Sequence, residues 1–104
     1  MTHIIENENQ VTELASKNPV HILYFTTPSC NVCLSVFPQL EALMTAYPFP
    51  LLKIDASLLE NLAGQHIVFT VPTILVMNEG KEVLRESRFI DFNKIERILN
   101  LLND

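Results

Sequence analysis

The sequence predicts an α/β fold: one central mixed β-sheet flanked by helices on both faces. Three observations predict it. Strand-like and helix-like hydrophobic patterns alternate in the order βαβαβαββα. The run Val20-His21-Ile22-Leu23-Tyr24-Phe25-Thr26 is continuous and β-rich, as a central strand covered on both faces must be. The last two strands are separated only by a short turn, so a hairpin follows the parallel crossovers and the sheet mixes both kinds of pairing.

The elements follow in chain order. Ile4-Ile5 reads as a short first strand, and Glu6 to Ser16, carrying Val11, Leu14 and Ala15, as a polar amphipathic helix with Glu6, Glu8 and Glu13 solvated. The central strand comes next, bracketed by Pro19 and Pro28. From Val32, the positions Cys33, Val36, Phe37, Leu40, Leu43, Met44 and Tyr47 keep helical spacing until Pro48 stops the pattern. Pro38 lies inside that helix, removes an N–H and crowds the carbonyl of Leu34, which predicts a kink. Leu51-Leu52-Lys53-Ile54 is a short strand, with Asp55 opening a turn after it. Ser57-Leu58-Leu59-Glu60 has the spacing of a capping box for a short helix that Gly64 is placed to end. Thr73–Met77 and Glu82–Glu86 form the hairpin around Asn78-Glu79-Gly80-Lys81, its more polar second arm suiting an edge. Asp91 is a good N-cap for a last helix that buries Phe92, Ile95, Ile98, Leu99 and Leu102. Met44, Met77, Phe25, Phe37, Phe69 and Leu99 are expected in the core.

A chain of 104 residues buries ~65% of its unfolded surface and needs no staple to fold, so one domain spanning residues 1–104 is expected. Apolar residues make up 48% of it, enough for a full core. A net charge of −5 with no basic cluster disfavours nucleic acid and anionic membranes as partners, and no apolar run approaches a membrane span. Met1 to Glu8 lacks the basic and apolar regions of a secretory signal, so a cytoplasmic setting is expected; the chain is also expected to be a monomer. In such a reducing compartment a cysteine pair cycles or binds metal instead of stapling the fold.

The chain has two cysteines, and both lie in Thr27-Pro28-Ser29-Cys30-Asn31-Val32-Cys33, between the central strand and the long helix. Two thiols at this spacing can close into a disulfide within one helical turn. Cys30 falls at the helix N-terminus, where unpaired N–H groups favour the thiolate; in CxxC proteins this lowers a thiol from about 8.5 to roughly 3.5–7.5. Cys33, one turn on and on the apolar stripe, is expected to be buried and to keep its proton. Cys30 is then the nucleophile and Cys33 the resolving thiol of a disulfide-exchange cycle. Two thiols supply half of a structural zinc site, and His3, His21 and His66 stand far from the pair as surface or strand-end residues. No metal and no separate cofactor is therefore expected, with zinc shared between two chains as the remaining metal reading. Leu34 after the second cysteine is not the histidine of a c-type haem site.

Over nearly its whole length the chain resembles the thioredoxin family. Cys30-Asn31-Val32-Cys33 between strand and helix, Pro38 five residues later, and Val71-Pro72-Thr73 before the hairpin carry the resemblance, joined by the glycine of Asn78-Glu79-Gly80. The resemblance implies a thioredoxin fold, a cis Pro72 beside the sulfurs, and a Val71 backbone that pairs with an extended substrate segment. It implies a thiol–disulfide oxidoreductase that reduces protein or small-molecule disulfides. A dithiol electron donor such as a thioredoxin reductase-type flavoprotein would restore it. A redox-sensing or protein-binding module on the same fold is the alternative.

The chain also departs from the family. Ser29 replaces the usual Trp, and Asn31-Val32 the usual Gly-Pro. Tyr24 and Leu51 occupy the places of the buried Asp and its Lys partner. Losing both charges together leaves no uncompensated buried ion but removes a base for the resolving thiol, so slower turnover is expected. Tyr24 is expected as a core aromatic whose hydroxyl finds a partner. Ser87-Arg88-Phe89 stands where the family often has a glycine near the substrate, with Arg88 expected in solvent and Phe89 in the core.

Overall fold

The computed structural model describes residues 1–104 and has the element order read from the sequence. Strands β1 (Thr2–Ile4), β2 (Val20–Thr26), β3 (Leu51–Asp55), β4 (Thr73–Asn78) and β5 (Lys81–Ser87) alternate with helices α1 (Glu8–Lys17), α2 (Asn31–Met44), α3 (Glu60–Gln65) and α4 (Phe92–Leu102). The sheet order is β1-β3-β2-β4-β5, with β1 and β2 parallel to β3, and β4 antiparallel to both β2 and β5. β2 is central and the polar β5 is an edge.

Strand alternation divides the apolar residues into two cores. Leu23, Phe25, Leu52, Ile54 and Leu75 face α1 and α3, where they meet Val11, Leu62 and Ala63. Ile22, Tyr24, Leu51, Ile74 and Val76 face α2 and α4, against Val36, Leu40, Met44, Ile95 and Leu99. One helix pair therefore covers each face. The hairpin turns through Glu79 and Gly80, both at positive φ (52° and 80°), which glycine adopts without a steric penalty. Asp91 caps α4 by accepting from the N–H groups of Asn93 (3.0 Å) and Lys94 (3.2 Å). Asn7 and Gln10 form a capping box for α1, so that helix starts at Glu8, later than Glu6. β1 spans Thr2–Ile4, and Ile5 is freed to enter the core. α2 runs on through Pro38 and ends at Met44, before Tyr47.

Several expectations are corrected. Ser57 does not cap α3. Its N–H donates to Asp55 Oδ1 at 2.9 Å and its hydroxyl donates to the same atom in an Asx turn, and α3 begins only at Glu60, two residues too late for Ser57 to hold the N-cap position. Leu59 holds the N-cap position without a side-chain bond. Gly64 lies inside α3 and does not terminate it; the left-handed residue past the end is Ile67, at φ 55°. Arg85 fixes that reversal, donating to the carbonyls of His66 and Ile67 while paired with Glu82. His21, at the start of β2, is one of the strand-end residues expected, and it is buried, with Nδ1 3.0 Å from the Asn18 carbonyl oxygen. Phe69 and Phe89 are 81% and 91% exposed, because Val68 and Ile90 take the inward places beside them.

Candidate active site

β2 ends at Thr26, and the chain turns through Thr27–Ser29 to enter α2. The Cys30 N–H donates to the Thr27 carbonyl at 3.2 Å, which sets Cys30 as the N-cap of α2 in extended conformation. In that place its Sγ accepts from the Cys33 N–H at 3.2 Å. A sulfur that serves as a helix cap sits at the positive end of the backbone dipoles, so negative charge on it is favoured. Cys30 and Cys33 are joined as a disulfide with their Cα atoms 5.3 Å apart. The two are unequal: Cys33 is 4% exposed and part of the α2-side core, whereas Cys30 is only half-buried.

Beneath the pair lies Tyr24, fully buried on β2. Its hydroxyl donates to the Cys33 carbonyl at 3.4 Å, and its ring stacks on Phe37 with centroids 5.4 Å apart. Burial raises the pKa of that hydroxyl, against a smaller lowering by a hydrogen bond with Thr26, so it stays a protonated donor. Leu51 is also fully buried, and no carboxylate replaces the Asp usual at the Tyr24 position.

Sequence reasoning missed Lys53. It pairs in register with Tyr24 and follows Leu51 by two residues, so it shares that face of the sheet. Its ammonium sits 4.3 Å from the centroid of the Phe37 ring. The strand period was the available signal. Lys53, Tyr24, Phe37 and both cysteines line a cavity of about 720 Å³ that opens between β1, the end of β3 and the first turns of α2.

On the other flank, the Val71–Pro72 bond is cis, and Thr73 pairs with Phe25. Pro72 is therefore at the sheet end from which the cysteine loop departs. The Arg88 N–H donates to the Pro72 carbonyl at 2.9 Å with Arg88 at φ 64°, which leaves Arg88 and Phe89 exposed next to that proline. Nowhere do three His, Cys, Asp or Glu side chains converge as a metal cluster would. No helix is long and apolar enough to cross a membrane.

The family model described as thioredoxin matches residues 1–103. The thioredoxin-like protein YdfQ of Bacillus subtilis is 40% identical over 78 residues, covering 74% of this chain and 70% of that protein. Thioredoxin of Chlamydia trachomatis is 28% identical over 101 residues, covering 96% and 97%. Among solved structures, a mutant thioredoxin from Halobacterium salinarum superposes with a TM-score of 0.90 at 20% identity, over 99% of this chain and 91% of that one. Oxidised thioredoxin O1 from Arabidopsis thaliana gives 0.82 at 20% identity, over 99% and 98%. The family-model match over residues 1–103 and the 40% identical relative, together with a cysteine pair joined at the start of α2, mean that the chain belongs to the thioredoxin family, with Cys30 and Cys33 as the redox-active pair of a thiol–disulfide oxidoreductase.

Proposed function

We propose that the protein reduces protein disulfides, with Cys30 as nucleophile and Cys33 as resolving thiol. The observation that carries this reading is the inequality of the pair: Cys30 is half-buried at a helix N-cap, and Cys33 is buried one turn further along the helix. The Cys30 thiolate attacks one sulfur of the substrate, forms a mixed disulfide and releases the other sulfur as a thiolate. Cys33 then loses its proton and attacks Cys30 Sγ, releasing the second substrate thiol and closing the Cys30–Cys33 disulfide. Two electrons pass to substrate, and a dithiol donor of the thioredoxin reductase-type flavoprotein class returns them. No metal or separate cofactor takes part in this cycle.

The Val71 backbone pairs with an extended substrate segment and Pro72 bounds the contact, supported by their place at the sheet end beside the cysteine loop. With Tyr24 in place of a base, the Cys33 proton leaves through water or to the departing thiolate, which slows the resolving step. The reading is of a monomer working in the cytoplasm, where a reducing pool keeps the dithiol supplied. The exposed Phe69 and Phe89 on either side of Pro72 in sequence favour, as a second reading, a redox-sensing or protein-binding module.

Insulin reduction in dithiothreitol separates the two. The protein is expected to accelerate it, and Cys33→Ser to accumulate mixed disulfides through Cys30. No acceleration, with both thiols still oxidisable, leaves the binding module.

A further inference from the structure

We propose that the cavity beside the dithiol binds a low-molecular-weight disulfide bearing a carboxylate, with Lys53 holding that carboxylate. The proposal rests on the reductase reading above and names a substrate class for the same cysteines. The cavity, about 720 Å³, lies within the size range of small-molecule sites, and Cys30 and Cys33 are among its walls. It lies on the β1–β3 side of β2, whereas Pro72 precedes β4 on the opposite side. Neither Val71 nor Pro72 is among its walls, so the cavity meets the cysteine pair from a different side than the sheet end at Pro72.

The walls include Ile4, Leu34 and Leu58, which are 69%, 75% and 78% exposed. Three large aliphatic side chains left in water around one opening mark a surface that a ligand would cover. Inside it, Lys53 is the only cation. Its ammonium rests against the Phe37 ring, forms neither of the protein's two ion pairs and donates no hydrogen bond to the protein. All three N–H donors are free for an acceptor.

Two carboxylates also line the cavity. Asp55 accepts from Ser57 through Oδ1, and Glu6 is exposed. The chain carries a net charge of −5, so its overall field repels anions. A preference for an anionic disulfide would thus require direct contact with Lys53. Once seated, the substrate disulfide is attacked by the Cys30 thiolate, one half leaves as a thiol, and Cys33 displaces the other half as the second thiol. One substrate disulfide becomes two thiols, and the dithiol becomes the Cys30–Cys33 disulfide.

The test uses full-length protein, reduced and then freed of reductant. Its oxidation by 3,3′-dithiodipropionate and by the uncharged hydroxyethyl disulfide is followed over a range of concentrations, with acid quenching, alkylation and mass measurement. The wild type is expected to favour the carboxylate-bearing disulfide about five-fold, chiefly through a lower half-saturating concentration, with the advantage shrinking in salt. Lys53→Met is expected to bring the ratio to about one, and Lys53→Arg to keep it above one. A wild-type ratio of one or less overturns the proposal. So does a ratio that Lys53→Met does not move, including an equal slowing with both disulfides, which marks a structural role. Insulin reduction without oxidation by either small disulfide overturns the proposal alone, whereas failure with insulin as well overturns the reductase reading.

Discussion

Tyr24→Phe tests whether the tyrosine at the buried position is a structural clamp or a proton relay. The substitution keeps the ring, its stack on Phe37 and its full burial, and removes only the hydroxyl that bonds the Cys33 carbonyl at 3.4 Å. A neutral hydrogen bond contributes about 0.5–1.5 kcal/mol net, and this long one belongs in the lower part of that range, near ~1 kcal/mol at most. For a chain of 104 residues the unfolding entropy is about 0.22 kcal/mol/K, so ~1 kcal/mol lowers Tm by about 5 °C. Urea unfolding of the oxidised protein measures the change as a lower midpoint at unchanged m. The sign of the pH dependence provides a second check. Burial raises the Tyr24 pKa above 10.0, so its stabilising contribution is complete below pH 10 and is lost as pH rises through the folded-state value. The wild type's margin over the variant is therefore expected to narrow in alkali. Tyr24→Phe should still form and resolve mixed disulfides. Full stability with abolished resolution would refute the clamp and make the hydroxyl a relay; a loss above ~3 kcal/mol would show that more than one hydrogen bond depends on it.

Two further predictions concern the scaffold. His21 and His66 both have lowered pKa values, burial being the main cause in each, with Arg85 next for His66. Their neutral forms therefore stabilise the fold fully above about pH 6.5, and this contribution is lost as pH falls through the lowered values. Denaturant midpoints between pH 7 and 5 should fall in the wild type and fall less in His21→Gln; an equal slope in both would remove His21 from the explanation. Asp91→Ala removes the side-chain acceptor of two N–H groups at the start of α4 and should cost about 1 kcal/mol, whereas Asp91→Asn should cost little. Calorimetry of the three proteins checks this, and equal melting temperatures would show that the cap contributes nothing.

Much of the fold was legible because the signals are local. Val20–Thr26 was bounded correctly by its β-rich continuity, and the hairpin was placed by Asn78-Glu79-Gly80-Lys81 between an apolar arm and a more polar one. Asp91 was recognisable as a cap because capping involves only the next three residues. Cys30 and Cys33 were legible for the same reason, since one helical turn contains both. The cis state of Pro72 was implied by resemblance, because nothing local to Val71-Pro72-Thr73 requires it. The misread positions depend on competition. Ser57 is held in the turn that Asp55 closes while α3 starts later, at Glu60, and Val68 and Ile90 took the inward places beside Phe69 and Phe89.

By itself, the sequence determined the element order, the mixed sheet and the unequal placement of two cysteines at a strand–helix junction, because each depends on periodicity or on residues within one turn. The tertiary structure alone decided what surrounds those cysteines. Tyr24, Phe37 and Lys53 come from β2, α2 and β3 and meet only because the strands pair in register and α2 crosses that face. A side chain's partners across a sheet depend on register and packing between distant segments, and no spacing along the chain encodes the cavity they enclose.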